Sequence, residues 1–167
     1  YTVEKRMMLS VEIKENQNTI GTYNALNDAV ITSGFISRII DISAVVDGDT
    51  VNYHADGLIA STPTGSTAYS MSAGGPVMDA SLDCLSVTPI CAHSLRCRPI
   101  VFSGESVFEI KNRATPDHAK LSVDGSETYD LEEGDVVRIK KSEYITRLIR
   151  TGESDFCSIL YRKMSDV

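Results

Sequence analysis

Short apolar runs, many alternating with polar residues and closed by turn formers, recur from Met7 to the last quarter of the chain. Side chains of an extended strand alternate between two faces, whereas an amphipathic helix repeats its apolar face roughly every 3.6 residues. The runs fit the first period. Strands are therefore predicted over Met7 to Ile13, Ser37 to Val46, Leu58 to Ser61 and Pro99 to Ile110, then Leu121 to Val123, Val136 to Lys140 and Tyr144 to Ile149. Asp47-Gly48 lies between β-branched residues, and glycine tolerates the positive φ of a tight hairpin, so a hairpin is predicted there. Asp124-Gly125-Ser126 reads as a further turn. Helical spacing is confined to Ser66 to Ala73, closed by Gly74-Gly75-Pro76, and to Phe156 to Met164. Ser66 and Thr67 offer N-cap hydroxyls to the first of these. The expected architecture is a mainly antiparallel β-sandwich with one short functional helix and a C-terminal helix.

With 167 residues and no linker-like stretch, residues 1–167 read as one domain. The formal net charge of −7 and the scattered Lys and Arg residues argue against a nucleic-acid partner, because no basic patch could track a phosphate backbone. No apolar run approaches membrane-spanning length, and Tyr1 to Ser10 lacks the apolar core and cleavage site of a signal peptide, so a cytoplasmic location and no membrane partner are expected. Cys84, Cys91, Cys97 and Cys157 include no CxxC pair, and His54, His93 and His118 stand apart. Free thiols and no protein-held metal are the expectation.

Chemistry concentrates between Asp56 and Pro76. Asp56-Gly57-Leu58-Ile59-Ala60-Ser61 reads as a buried strand, and Thr62-Pro63-Thr64-Gly65-Ser66-Thr67 turns the chain into the helix that starts near Ala68. Such a turn is dense in hydroxyls and in backbone N–H groups not yet used by the helix, which suits a nucleotide. It lacks the lysine of a P-loop and does not fit GxGxxG. On composition alone, an ordinary helix cap explains it equally well.

Three stretches decide between these readings. The run DGLIASTPTGSTAYSMSAGGP, Asp56 to Pro76, closely resembles the signature of the NAD kinase family. Ala25-Leu26-Asn27-Asp28-Ala29-Val30 resembles the family's Asn-Glu/Asp motif, and Pro89 to Ile100 resembles its PxxPHSLxxRP segment. With the Val123-Asp124-Gly125 turn, the resemblance covers nearly the whole chain. It implies a phosphotransferase that moves the terminal phosphoryl of ATP, or of polyphosphate in some members, onto the adenosine ribose 2′-hydroxyl of NAD, giving NADP, with Mg²⁺ or another divalent cation neutralising charge.

The resemblance also implies roles for single residues, each of which has a plainer alternative. Asn27 would meet an adenine edge, where a turn asparagine is the bland reading, and Asp28 would accept from a ribose diol, where a solvated acid is. Asp56 would accept from the amide at the nicotinamide end, although an Asp before Gly is more often a turn residue. Thr67, Ala68 and Tyr69 would receive the rings, Tyr69 by stacking rather than by core packing. Ser72 would share one helix face with Ala68. Asp124 has the weakest claim, because DG turns are common in β proteins.

Two departures stand out: His54 where many relatives have Arg, and Ala92 in place of the proline before His-Ser. The family's Gly-Gly-Asp-Gly motif, which carries its candidate general base, does not occur in these residues. No catalytic residue is therefore assigned here, the chain is expected to be inactive alone, and its partners would be NAD, NADP, a missing N-terminal domain and further copies of itself. Other readings are weaker. A non-catalytic nucleotide-binding sandwich module fits the same turn. A serine hydrolase would rest on Ser70-Met71-Ser72-Ala73-Gly74, with His93 or His118 as base and Asp79 or Asp83 as orienting acid, but the first glycine of GxSxG is absent. The related lipid kinases rank third, because the Thr-Pro-Thr-Gly-Ser-Thr-Ala-Tyr stretch resembles NAD kinase instead.

Overall fold

The computed structural model describes residues 1–34, 39–92, 97–112, 119–151 and 156–165. Two six-stranded antiparallel sheets face each other across one apolar core. The first runs in the order β2 (Asn18–Ala25), β1 (Thr2–Glu15), β12 (Val136–Arg150), β9 (Phe108–Asn112), β4 (Ile40–Val46) and β5 (Asp49–Ala55). The second runs β11 (Glu127–Leu131), β10 (Ala119–Val123), β3 (Asp28–Ser33), β6 (Gly57–Ser61), β7 (Cys84–Ile90) and β8 (Ile100–Ser103). Alternation sends Leu9, Val11, Ile42, Phe108 and Ile139 of the first sheet against Ile31, Leu58, Leu85 and Leu121 of the second, all essentially inaccessible to solvent. Burial of each such side chain is worth roughly 1.5–3 kcal/mol.

The expected sandwich is present, and its differences from the sequence reading have local causes. Asp47 and Gly48 close β4 onto β5 with φ of 50° and 96°. Asn16 and Gln17 do the same between β1 and β2 with φ of 47° and 69°, a hairpin without glycine that no turn signal announces. Pro99 to Ile110 is not one strand. A turn in which the Ser106 N–H donates to the Ser103 carbonyl at 3.0 Å breaks it, and the chain passes from β8 in the second sheet to β9 in the first. Conversely, the two runs Val136 to Lys140 and Tyr144 to Ile149 are one strand, β12, with an irregularity opposite the Met7 to Leu9 step of β1. Of the predicted strand Ser37 to Val46, Ile40–Val46 is observed and residues 37–38 lie outside the described residues.

The helix predicted over Ser66 to Ala73 is divided. Gly65–Thr67 forms a single 3-10 turn and Tyr69–Ser72 one α-helical turn, α1, with Ala68 between them at φ −97°, ψ −131°, outside helical geometry. No side-chain hydroxyl caps either piece. Instead Ser66 Oγ donates to the Pro63 carbonyl at 2.7 Å and accepts from the Met78 N–H at 3.0 Å, so this hydroxyl ties the segment's two ends together. A second helix, α2, covers Phe156–Ser165, near the expected span. Among the described residues, no helix is long and apolar enough to cross a membrane.

Candidate nucleotide site

Strand β6 is central to the second sheet and buried along its whole length, and its C-terminal end delivers the Thr62 to Thr67 turn. Thr62 fastens that turn to the Asn27 motif. Its N–H donates to the Asn27 carbonyl at 2.9 Å, its Oγ1 donates to the Leu26 carbonyl at 2.6 Å, and the same oxygen accepts from the Gly65 N–H at 3.0 Å. Gly65 is required by contact, since a Cβ there would lie 2.1 Å from the Asn27 carbonyl oxygen.

Asp124 holds the Asn27 motif from the other side. Its carboxylate accepts from three consecutive backbone N–H groups: Leu26 at 2.7 Å, Asn27 at 2.8 Å and Asp28 at 3.1 Å. Its own N–H donates to the Asp28 carbonyl at 3.0 Å. Hydrogen bonds to a charged group contribute about 1.5–3 kcal/mol each when well desolvated, and less at this exposed position. Asn27 thus sits on backbone fixed from two directions. Asp28, at the start of β3, is 5% exposed, so it is not the solvated acid of the plainer reading. Burial, reinforced by the like charge of Asp124, pushes its carboxyl up to about 6.

The segment from Thr62 to Met78 folds over the outer face of the second sheet. Ser70 Oγ lies 3.0 Å from Thr88 Oγ1, and Ala73 packs on Val30, Ile59 and Ile90. A Cβ on Gly75 would fall 2.3 Å from Ser70 Oγ, so glycine is needed there as well. These anchors divide the loop cleanly. Ser66 and Ser70 are buried in holding it down, while Thr67 and Ala68 are half-buried and Tyr69 and Ser72 are exposed. Met71, Gly74 and Val77 of the same segment are exposed as well. The expectation that Ala68 and Ser72 share a helix face does not hold, because Ala68 is not helical.

Asp56 is placed apart from the others. It precedes β6, its N–H donating to the Ile90 carbonyl at 3.0 Å and its carbonyl accepting from Ser33 at 3.3 Å. At about 3.3 Å per residue, the two ends of β6 lie roughly 13 Å apart. Asn27, Asp28 and Asp124 therefore meet at one end and Asp56 stands at the other, with the Thr67 to Ser72 segment on the loop that covers the face between them.

Thr62 and Gly65 are the positioning residues that sequence reasoning passed over. A cavity of about 200 Å³ adjoins the turn, lined in part by Thr64, Thr67, Arg6 and Arg150. Thr64 Oγ1 is buried without a hydrogen-bond partner among the described residues. His54 lies on the first sheet, 2.6 Å from Asp41 across the β4–β5 pair, and not beside the Asn27 cluster. The hydrolase alternative finds no support, because Ser72 closes a helical turn and Asp83 pairs with Lys141 at 2.6 Å. His93 and His118 lie outside the described residues, as do residues 93–96 of the Pro89 to Ile100 segment. Among the described residues, no group of three or more His, Cys, Asp or Glu side chains could hold a metal ion.

The chain is a double-sheet sandwich with a hydroxyl-rich turn clamped beside an Asn-Asp pair, and known proteins can be set beside it. The family model described as the ATP-NAD kinase C-terminal domain matches residues 26–151. The chain is 44% identical over 167 residues to an NAD kinase of Symbiobacterium thermophilum and 42% identical over 165 residues to one of Geotalea daltonii. These matches cover 99% and 98% of the chain but 59% and 58% of the relatives, so the chain spans about three fifths of their length. Among solved structures, it is similar to yeast NADH kinase complexed with NADH, with TM-score 0.90 and 29% identity over 98% of this chain and 48% of that one. It is also similar to an NAD kinase from Archaeoglobus fulgidus in complex with ATP, with TM-score 0.81 and 30% identity over 99% and 61%. The chain belongs to the ATP-NAD kinase C-terminal domain family.

Proposed function

We propose that this chain is the acceptor-binding half of an NAD kinase, which transfers the terminal phosphoryl of ATP or polyphosphate to the adenosine ribose 2′-hydroxyl of NAD. The observation that supports it best is the double clamp on Asn27, by Thr62 on its carbonyl and Asp124 on its N–H. Binding geometry fixed before the ligand arrives is what phosphoryl transfer needs, since positioning and charge neutralisation carry most of its catalysis. In this reading Asn27 meets the adenine edge and Asp28 the ribose diol, while Thr67, Ala68, Tyr69 and Ser72 line the ring sites. Asp56 takes the nicotinamide amide, and Asp124 acts by holding the Asn27-Asp28 backbone.

The 2′-oxygen bonds to the terminal phosphorus as the bridge to the donor's next phosphate breaks. The 2′-hydroxyl proton goes to a base in the N-terminal portion, where relatives carry Gly-Gly-Asp-Gly. Mg²⁺, or another divalent cation, arrives with the donor phosphates, for which the described residues offer no acidic cage. The parent protein works in the cytoplasm as a homo-oligomer in which Asp56 and Tyr69 complete a site held mainly by another copy.

Incubation with ATP, Mg²⁺ and NAD⁺ tests this reading. The parent protein is expected to form NADP⁺ and the 167-residue chain to bind NAD⁺ weakly without turnover. A parent that makes no NADP⁺, or a 167-residue chain that makes it readily, sinks the assignment.

A further inference from the structure

Helix α1 is one turn of four residues, and a single turn does not hold its own shape. Its first hydrogen bond fixes the dihedrals of several residues at once, which is a net cost in water, so tertiary anchors decide how it sits. Ala68, at φ −97° and ψ −131°, separates it from the 3-10 turn before it and passes on no helical order. Tyr69 is 45% exposed, and Met71 and Ser72 are exposed as well. Just past the turn, Ala73 packs on Val30, Ile59 and Ile90 and fixes the far end. Ser70 is the one buried residue of the turn itself. Whatever grips Ser70 therefore sets the attitude of Tyr69 before it and Ser72 after it.

The grip comes from β7. Leu85 and Val87 face the main core, so alternation turns Thr88 to the outer face of the second sheet, opposite Ile59 of β6. There Thr88 Oγ1 lies 3.0 Å from Ser70 Oγ, and both residues are inaccessible to solvent. Neither hydroxyl has another partner among the described residues. Gly75 closes over the pair: its N–H donates to the Ser70 carbonyl at 2.8 Å, and a Cβ there would fall 2.3 Å from Ser70 Oγ and 2.7 Å from Thr88 Oγ1. Buried in this way, each hydroxyl depends on the other for the hydrogen bond that water would otherwise supply.

We propose that Thr88 is a positioning residue, which acts through Ser70 to turn Tyr69 and Ser72 toward the nicotinamide ring of NAD. The inference rests on the NAD kinase reading above. Thr88 lies beneath the loop and reaches the ligand only through the turn it grips. The adenine end is independent of it, because Asn27 and Asp28 are held by Thr62 and Asp124.

Calorimetric titration of the parent protein with NAD⁺ and with ADP-ribose, which lacks nicotinamide, tests the proposal. The ratio of the two affinities does not depend on how much of the protein is folded, so a purely structural residue leaves it unchanged. Thr88→Val keeps the shape and removes the hydroxyl. It is expected to weaken NAD⁺ binding roughly 3–10-fold, the worth of one hydrogen bond, with ADP-ribose held within about twofold. Thr88→Ser keeps the hydroxyl and should hold the ratio within about twofold.

The double variant, Thr88→Val with Ser70→Ala, separates positioning from stability most sharply. With both partners gone no hydroxyl is orphaned, so the melting temperature recovers relative to Thr88→Val. The NAD⁺ to ADP-ribose ratio is expected to stay low, because nothing grips the turn. This variant also carries the test if Thr88→Val alone fails to fold. Recovery of the ratio along with the melting temperature overturns the proposal, and so does an equal loss for both ligands. Tyr69→Ala is the reference: if it lowers the ratio and the Thr88 variants do not, the kinase reading stands and the positioning proposal falls. A parent that neither binds NAD⁺ nor forms NADP⁺ loses the kinase reading, and this proposal with it.

Discussion

At the C-terminal end of β6, Thr62 is pinned to Asn27 and holds Gly65 in turn, while Asp124 gathers three N–H groups of the same motif, whereas at its N-terminal end Asp56 is placed by backbone bonds to Ile90 and Ser33. The first end is organised from segments about a hundred residues apart in sequence. The second is an extension of the sheet ladder with a carboxylate on it. Substitutions at the clamped end should therefore change stability and ligand affinity together, whereas at the open end affinity alone should respond.

The largest effect is expected from Gly65→Ala. Its Cβ would lie 2.1 Å from a backbone oxygen that no rotamer change can move aside, so the Thr62 turn must lift off Asn27. A loss of about 3 kcal/mol in denaturant unfolding is expected, together with more than tenfold weaker NAD⁺ binding. An unchanged midpoint would erase the contrast between the ends.

Asp124→Ala comes next, with a loss of about 2 kcal/mol as three N–H groups turn to water. It should also lower the Asp28 carboxyl from about 6, since one of the two influences raising it is removed. Carbon-detected NMR titration of Asp28 reads that shift, and an unmoved midpoint would show that burial alone sets it.

Asp28→Asn should divide the two properties by sign. A carboxyl near 6 in the folded protein and 3.8 by reference takes up its proton in the folded state first as pH falls. Stability then rises from about pH 6 down to pH 3.8, and above pH 6 the buried charge carries a constant penalty. Removing that charge should stabilise the protein at pH 8 by about 1–2 kcal/mol and flatten this pH dependence, while NAD⁺ binding weakens. Thermal melts across that window, paired with calorimetric titration, measure both. Loss of stability and affinity together would make Asp28 a structural residue.

Asp56→Ala, at the open end, should leave stability within about 0.5 kcal/mol. It should weaken NAD⁺ binding but spare ADP-ribose, which lacks the nicotinamide. Equal losses for both ligands would place Asp56 elsewhere in the site.

Much of this arrangement is legible in the sequence where a residue's own backbone preference does the work. Asp47-Gly48 announces its hairpin because glycine is the residue that tolerates its φ, and alternation picks out the inward face of β4 and β10. Asn16-Gln17 adopts the same backbone with no glycine to advertise it, so β2 has no such marker in the sequence. The break at Ala68 is also silent, because nothing in Ser-Thr-Ala-Tyr disfavours continuing the helix. It arises where the loop is anchored below by Ser66 and Ser70. Asp124 shows the limit most clearly: as a DG turn residue it looks ordinary, and its partners lie 96 to 98 positions upstream.

The pairing of β1 with β12 also sets an order of events during synthesis. Once strand β1 is made, its longest partner is not complete until Val136 to Arg150 is translated, more than a hundred residues later. At about 5–20 residues per second, that is a wait of roughly 6 to 24 seconds. Throughout it, Leu9, Val11 and Ile13 have the short hairpin partner β2 and half a core. Every strand of the second sheet, down to β11 ending at Leu131, is made in the meantime, but the first sheet cannot close around its middle. A stop codon anywhere before β12 leaves the molecule without the centre of a sheet.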